Sequence, residues 1–175
     1  MTPIPTPGQT VGPFFHYALP YDGDDELVPR GTAGAVRLHG TVRDGAGGPV
    51  PDAVLELWQA DADGEVVQQA GSLHRDGWTF SGFGRSATDA EGRYCFTTVV
   101  PGESAPFVAI TVFARGLLHR LFTRAYLPGR SDAFLDGLEA DRRSTLVAIA
   151  DESGFRFDVR LQGEDETVFL DFGDE

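Results

Sequence analysis

Short runs of alternating apolar and polar residues, each closed by a turn sequence, fill this chain from residue 35 onward. The clearest run is AVRLHGTVR (35–43), in which every second residue from Val36 is apolar or glycine. The turn sequence GAGGPVP (45–51) follows it, and a second run, AVLELWQA (53–60), ends at DADG (61–64). A period of two residues is typical of β-strands with one buried face, so we expect a β-sheet protein.

Runs of the same kind continue to the C-terminus. They are TDAEGRYCFTTVVPG (88–102), FVAITVFA (107–114), RLFTRAYL (120–127), STLVAIA (144–150), FRFDVRLQG (155–163) and ETVFLDF (166–172). One helix is predicted at SDAFLDGLEADRR (131–143) with Ser131 as its N-cap, whereas HRDGWTFSGFGRS (74–86) has no regular pattern. Many short strands at regular spacing predict an all-β fold, an antiparallel β-sandwich with one short helix.

The first 34 residues differ from the rest, because they are rich in Pro, Gly and Asp and show little periodicity. We expect an extended N-terminal arm at 1–34 and one β-sandwich domain at 35–175, since no internal linker interrupts the later residues. A chain of 175 residues is long enough to bury a sizeable core as one domain.

Charge and composition exclude several classes of function. With 14 basic and 27 acidic side chains the formal net charge is −13, so the chain lacks the cationic face of a protein that binds nucleic acid or anionic membranes. Cys95 is the only cysteine, which excludes an internal disulfide. The N-terminus does not resemble a signal peptide, and no apolar run approaches the roughly 20 residues of a membrane span. We therefore expect a soluble cytoplasmic protein.

The residues taken alone show no complete catalytic set. Four histidines are scattered along the chain, without the close pairing of a helical zinc motif: His16, His39, His74 and His119. The acidic runs DGDDE (22–26) and GEDE (163–166) lack the ligand spacing of a calcium loop. Surface or hydrogen-bonded histidines are the simpler interpretation, and a metal site built from distant residues stays open.

Five segments together resemble one protein family, and they span nearly the whole chain in order. They are TPGQTVGPFFH (6–16), GPVPDAVLELWQADADGE (48–65), FSGFGRSATDAEGRYCFTTVVPG (80–102), TVFARGLLHRLFTRAYLP (111–128) and FRFDVRLQGEDETVFLDF (155–172). In these segments the chain is similar to the intradiol ring-cleavage dioxygenases, and more narrowly to a non-catalytic α-type subunit of that family. The resemblance implies a β-sandwich and a ferric ion, Fe(III), held by two tyrosines and two histidines of a homologous β subunit.

At the positions of those ligands this chain carries other residues. By the resemblance, Val66 stands where the first ligand tyrosine would be, and Phe107 and Ala109 stand where the two histidines would be. The loop that would carry the second tyrosine is almost absent from PGESAPFVAITVF (101–113). Hydrocarbon side chains cannot donate to a metal, so the resemblance implies no metal ligands and no catalytic residues here, and an iron-bearing β subunit as partner in an αβ hetero-oligomer.

The resemblance also implies a substrate-binding role for Arg115. In α-type chains an arginine in the segment FARG (113–116) faces the pocket of the neighbouring β subunit. Its guanidinium would pair with the carboxylate of 3,4-dihydroxybenzoate, which the holoenzyme cleaves with O₂ to 3-carboxy-cis,cis-muconate. The alternative is a surface arginine paired with one of the chain's own carboxylates.

The N-terminal arm matches a family segment that forms part of the pocket wall. Thr10, Gly12, Pro13 and Phe14 are therefore candidate substrate-binding residues. Glycine has no side chain, so its backbone can approach a flat aromatic ligand closely. Phe14 replaces a tyrosine common in the family, and any hydroxyl contact from this position is lost. An interface strap that packs on the partner subunit is a second role for the arm, compatible with the first.

Two other classes of function stay open. Transthyretin-like and carboxypeptidase-regulatory-like sandwiches are non-enzymatic binding modules that share segments such as TDAEGRYCFTTVVPG (88–102). Those modules generally lack the segments QTVGPFF (9–15) and RLQGEDETVFLDF (160–172), which this chain has. A free-standing dioxygenase with a different ligand set would need histidines or tyrosines that converge from distant loops.

We predict that the purified chain alone binds no stoichiometric iron, because the resemblance leaves it without a ligand set. Elemental analysis should find an iron content far below stoichiometric, and the spectrum should lack the visible absorption of a tyrosinate–iron bond. A stoichiometric iron content in the isolated chain would contradict the loss of the ligands.

Overall fold

The computed structural model describes residues 15–67 and 75–173, and within them nine strands build two sheets. The strands are β1 (Ala35–Arg43), β2 (Val54–Gln59), β3 (Phe83–Ala87), β4 (Arg93–Val99), β5 (Phe107–Phe113), β6 (Leu121–Tyr126), β7 (Ile149–Asp151), β8 (Gly154–Arg156) and β9 (Val159–Arg160). Three short helices accompany them: α1 (Phe15–Ala18), α2 (Ala133–Asp136) and α3 (Ala140–Ser144). None of these helices is long and apolar enough to cross a membrane.

Antiparallel pairing dominates both sheets. The first sheet has the strand order β4-β1-β8-β7, with β9 also paired to β1, and the second has the order β3-β2-β5-β6. All pairs of the second sheet are antiparallel, whereas β8 and β9 run parallel to β1. A parallel pair needs a long crossover, and more than a hundred residues separate β1 from β8. The predicted antiparallel β-sandwich is confirmed, with the short parallel pairs as a difference in detail.

The main core lies between the two sheets. Leu38 and Phe96 come from the first sheet, Leu57 and Ile110 come from the second, and all four are buried in one apolar cluster. Burial alternates along the strands, as it does from residue to residue in β5. The period of two in the sequence therefore corresponds to the two faces of each strand.

The later part of the N-terminal arm packs on the sandwich itself. Leu27 is buried in the main core, and its backbone N–H donates to the Thr97 carbonyl oxygen at 2.8 Å. Arg85 of β3 donates to the Leu19 carbonyl oxygen, also at 2.8 Å. The proposed boundary after residue 34, and the packing of the arm on a partner, stay predictions.

The prediction of a single helix at 131–143 is wrong, because the segment forms two short helices, α2 and α3. Asp132, not Ser131, caps α2: its extended backbone lets the carboxylate accept the Leu135 N–H at 2.9 Å. Ser131 lies one residue too early, and its hydroxyl donates to Asp136 instead. Gly137 follows α2, and glycine is a poor helix former, which explains why the helix does not continue.

Several strand boundaries also differ from the prediction. The stretch expected to be irregular, 74–86, contains most of β3, which pairs with β2. The run 166–172 forms no strand, although Leu170 N–H donates to the Phe122 carbonyl oxygen at 2.7 Å. Of the run 144–150 only the end belongs to a strand, and 155–163 is divided between β8 and β9.

Gly40→Ala should destabilise the fold strongly. A Cβ atom at Gly40, in the middle of β1, would lie 1.8 Å from the Phe157 carbonyl oxygen, so the backbone must move. We expect a loss of about 3 kcal/mol or more in the free energy of unfolding, measured by chemical denaturation.

Gly31→Ala is the matched control for this change. A Cβ at Gly31 meets no atom within 4 Å, although its φ of +93° is a strained value for alanine. The Gly31→Ala variant should lose about 1–2 kcal/mol in its free energy of unfolding. Equal losses in the two variants would contradict the close approach of β1 to Phe157.

Candidate functional site

Arg115 lies at the start of the loop that joins β5 to β6. β5 ends at Phe113, Ala114 is still buried, and the chain then turns at Gly116. Gly116 has a φ of 90°, a left-handed value that favours glycine. Leu117 N–H donates to the Ala114 carbonyl oxygen at 3.3 Å and closes the turn. The buried face of β5 thus fixes the point at which the chain leaves the core, and Arg115 is the first residue beyond it.

A buried carboxylate holds Arg115 in place. The Nε atom of Arg115 donates to Oδ2 of Asp52 at 2.6 Å, and Nη2 donates to the same oxygen. The Asp52 side chain is 8% exposed, whereas the Arg115 side chain is 67% exposed. The guanidinium is therefore tied to the body of the protein on one side and faces solvent on another. This contact matches the alternative expectation of a pair with the chain's own carboxylates, and a substrate contact stays a prediction.

Sequence reasoning missed the role of Asp52, which lies in the turn before β2. Pro51 precedes it and the buried Ala53 follows it. An aspartate next to a proline is common in solvated turns, so its local sequence carries no signal of an ion pair. Only the fold reveals the contact, because it joins two residues 63 positions apart.

Arg115 and Asp52 line a surface cleft of about 440 Å³. Among its described lining residues Arg115 is the only basic one, Asp44 is a second acidic one, and apolar surface comes from Val50, Leu117 and Leu161. A cation beside apolar walls can bind the carboxylate of a small organic molecule. The part of the lining that the structure describes holds no histidine or cysteine, so it offers no nucleophile or metal ligand of that kind.

The remaining predicted site residues, Thr10, Gly12, Pro13 and Phe14, lie outside the described residues. Their distance from Arg115 is therefore not known. Their place in a pocket wall stays a prediction.

The residues that replace the expected metal ligands lie on or near the second sheet. In the strand register Ala109 of β5 is paired with Arg124 of β6, and Phe107 is paired with Tyr126. The guanidinium carbon of Arg124 lies 4.0 Å from the centroid of the Phe107 ring, a cation–π contact. Val66 is 69% exposed. Among residues 15–67 and 75–173, no group of three or more His, Cys, Asp or Glu is placed to hold a metal ion.

Arg124 belongs to a polar cluster that sequence reasoning also missed. Its Nη1 donates to one carboxylate oxygen of Asp132 at 3.2 Å, and the Tyr126 hydroxyl donates to the other at 3.0 Å. Burial raises the pKa of Tyr126 to about 12, and the Asp132 carboxylate adds to the rise. The phenol therefore stays protonated and keeps donating at neutral pH. The Arg124 guanidinium, paired with the Asp132 carboxylate, thus has a fixed place beside Phe107.

Comparison with known sequences gives matches along most of the chain. The Dioxygenase family model matches residues 11–108. The chain is similar to the protocatechuate 3,4-dioxygenase alpha chain of Burkholderia cepacia, with 39% identity over 95% of this chain and 96% of that one. The alpha chain of Pseudomonas putida is 38% identical over the same shares. A protocatechuate 3,4-dioxygenase beta chain of Burkholderia cepacia is 32% identical over 73% of this chain and 64% of its own length.

Solved structures share the same architecture. The dioxygenase domain of a dioxygenase and carbohydrate-binding fusion protein from Streptomyces sp. SirexAA-E has a TM-score of 0.58 and 26% identity, over 92% of this chain and 100% of that one. Catechol 1,2-dioxygenase from Pseudomonas arvilla C-1 has a TM-score of 0.53 and 24% identity, over 79% of this chain and 55% of that one. The second likeness concerns the fold alone.

The Arg115–Asp52 pair should contribute measurably to stability, because one partner is buried. A double-mutant cycle with Arg115→Ala and Asp52→Ala should give a coupling free energy of about 1 kcal/mol, by urea denaturation of all four proteins. The pair Arg93–Asp89, in which both side chains are exposed, is the matched comparison and should couple more weakly. Coupling no larger than that of the exposed pair would show that Asp52 does not hold the arginine.

Proposed function

Because this chain belongs to the intradiol dioxygenase family, we propose that it is the non-catalytic α subunit of a protocatechuate 3,4-dioxygenase. The observation that carries this proposal is the similarity to two alpha chains over 95% of the length. The holoenzyme would cleave 3,4-dihydroxybenzoate with O₂ between the hydroxylated carbons and release 3-carboxy-cis,cis-muconate. The cytoplasmic location expected from the sequence is part of the same proposal.

The iron of this enzyme would belong to a homologous β subunit. Intradiol dioxygenases use Fe(III), and the residues at the expected ligand positions of this chain do not fit such an ion. Phe107, Ala109 and Val66 offer no oxygen, nitrogen or sulfur donor. The α chain would therefore leave the redox chemistry to its partner and contribute pocket wall, charge and assembly surface.

Arg115 would recognise the substrate through its carboxylate. A guanidinium forms short charge-assisted hydrogen bonds to carboxylates, and its fork geometry orients a planar acid. Asp52 would hold the side chain in a defined direction, so less side-chain entropy is lost when the substrate binds. In a chain of net charge −13, a cation at the pocket mouth would also offset the repulsion of an anionic substrate.

The N-terminal arm would complete the wall of the partner's pocket. Thr10, Gly12, Pro13 and Phe14 are the proposed contacts, and the backbone at Gly12 can approach a flat ring closely. The arm at 1–34 would also strap the α subunit to the β subunit. Its later part is anchored on the α sandwich at Leu27, which supports an arm that leaves the body at a fixed place.

Arg115→Ala should lower kcat/KM for 3,4-dihydroxybenzoate in the assembled complex. A charge-assisted hydrogen bond in a partly shielded site accounts for roughly a 10- to 100-fold loss. Catechol has no carboxylate, so its kcat/KM should fall much less. Steady-state kinetics with both substrates, in complexes with full iron content, measures the difference.

Two controls separate contact from steering and from assembly. Arg93→Ala removes another exposed, ion-paired arginine, and it should leave kcat/KM unchanged for both substrates. Arg115→Lys keeps the charge without the fork, so recovery that fades with added salt would indicate steering alone. Equal losses for the two substrates would mean that Arg115 supports the subunit interface and does not bind substrate.

A further inference from the structure

A second cavity, of about 500 Å³, lies where the ends of β1 and β9 meet α3. We call it the arginine cavity, because Arg43, Arg142 and Arg160 line it and all three are half-buried. It shares no lining residue with the cleft at Arg115. Neither the comparisons nor the family resemblance assigns it a role.

Two of these arginines are forced side by side by the strand register. Arg43 of β1 and Arg160 of β9 are direct partners in the parallel pair. Neighbouring strands lie about 5 Å apart, and partners in register point to the same face. Like charges placed in this way destabilise a sheet unless an opposite charge compensates them. Arg142 adds a third positive charge, and its Nη1 is fixed by the Glu166 carbonyl oxygen at 2.7 Å.

The described part of the chain does not supply the compensating charge. None of its carboxylates forms an ion pair with Arg43, Arg142 or Arg160. Outside the cavity, the half-buried Arg85 and Arg124 each pair with a carboxylate, whereas the half-buried Arg143 donates to backbone carbonyl oxygens. Three neighbouring arginines without an ion pair to a described carboxylate are unexpected in a chain with 27 acidic residues.

The acidic residues of the arginine cavity lie at its rim. Four of them line it and all are exposed: Asp141, Asp158, Glu164 and Asp165. A fourth arginine, Arg156, is exposed at the same rim and pairs with Asp158 at 3.6 Å. The half-buried charges of the lining are therefore all arginines, and its carboxylates are all exposed. A negative rim repels a long polyanion such as a nucleic acid, whereas a small anion can pass between its charges.

The lining also contains apolar surface. Val147 and Ile149 face the same cavity, and its volume lies within the range of about 300–1,000 Å³ typical of small-molecule sites. Inorganic phosphate would pair with the arginines but would make no contact with this apolar surface. An organic anion would use both, since its carbon skeleton can contact the apolar residues.

From this arrangement we propose that the arginine cavity binds a small organic anion with two or more carboxylates. Separate guanidinium groups on β1, β9 and α3 would each pair with a carboxylate oxygen. Binding would remove the repulsion between Arg43 and Arg160, so the ligand would also stabilise the fold. The proposal does not depend on the function proposed for Arg115.

The test is a binding titration of the full chain, or of its complex with the partner subunit. The probe is propane-1,2,3-tricarboxylate, followed by isothermal titration calorimetry and by the midpoint of thermal unfolding. We expect saturable binding and a rise of the midpoint with ligand concentration. Glycerol, which carries neutral hydroxyl groups on the same propane chain, should do neither, and inorganic phosphate should bind more weakly.

Arg160→Gln and Arg142→Gln should each weaken the binding of the tricarboxylate about tenfold or more. Arg93→Gln, which removes an exposed arginine outside the cavity, should leave the affinity unchanged. Without ligand, Arg160→Gln should not lower the unfolding midpoint, because it removes a repulsion. That second readout separates a binding role from a merely structural one.

Three results would overturn the proposal. The first is the absence of saturable tricarboxylate binding to the wild-type chain at millimolar concentration. The second is an unchanged affinity in both cavity variants. The third is binding of phosphate at least as tight as that of the tricarboxylate, which would reject the organic class.

Discussion

The apolar contact between the two sheets is the interaction on which the rest of the structure depends, and β5 is central to it. Its inward residues Val108, Ile110 and Val112 are fully buried, so the strand cannot slip by one residue without exposing them. The same register fixes the outward residues Phe107 and Ala109. It also fixes where the strand ends, and hence where Arg115 emerges. A packing constraint thus decides the position of the side chain that we propose to bind substrate.

The sequence predicts the strands that alternate cleanly and fails where alternation is weak. β1, β2 and β5 have apolar residues at every second position, and the structure contains them close to the expected bounds. β3 escapes prediction because its sequence FGRSA contains glycine and serine, and it pairs only because β2 offers a free edge. The segment 166–172 alternates well, yet it forms isolated backbone hydrogen bonds instead of a strand. An alternating pattern predicts which side chains are buried, as Phe169 is in part, but it does not predict a strand partner.

In the candidate site, too, the sequence predicts some residues and misses others. Arg115 is identified through the family segment around it, whereas its buried partner Asp52 and the cluster around Arg124 depend on contacts that no local pattern encodes. The alternative of a transthyretin-like binding module rested on shared turn-and-strand segments. Those segments lie within residues 11–108, which match the Dioxygenase family model, so they are better explained as part of a dioxygenase fold.

The cluster around Arg124 links β5, β6 and the residue that caps α2. Its guanidinium stacks on Phe107 and bonds to Asp132, which also accepts the Tyr126 hydroxyl. Donor side chains placed at residues 107 and 109 would still lie beside a guanidinium that Asp132 holds in place. Loss of Arg124 alone would leave the Asp132 carboxylate without its cation, a cost to stability. Residues 107, 124, 126 and 132 are therefore energetically coupled, and a substitution at one of them changes which side chains the others tolerate.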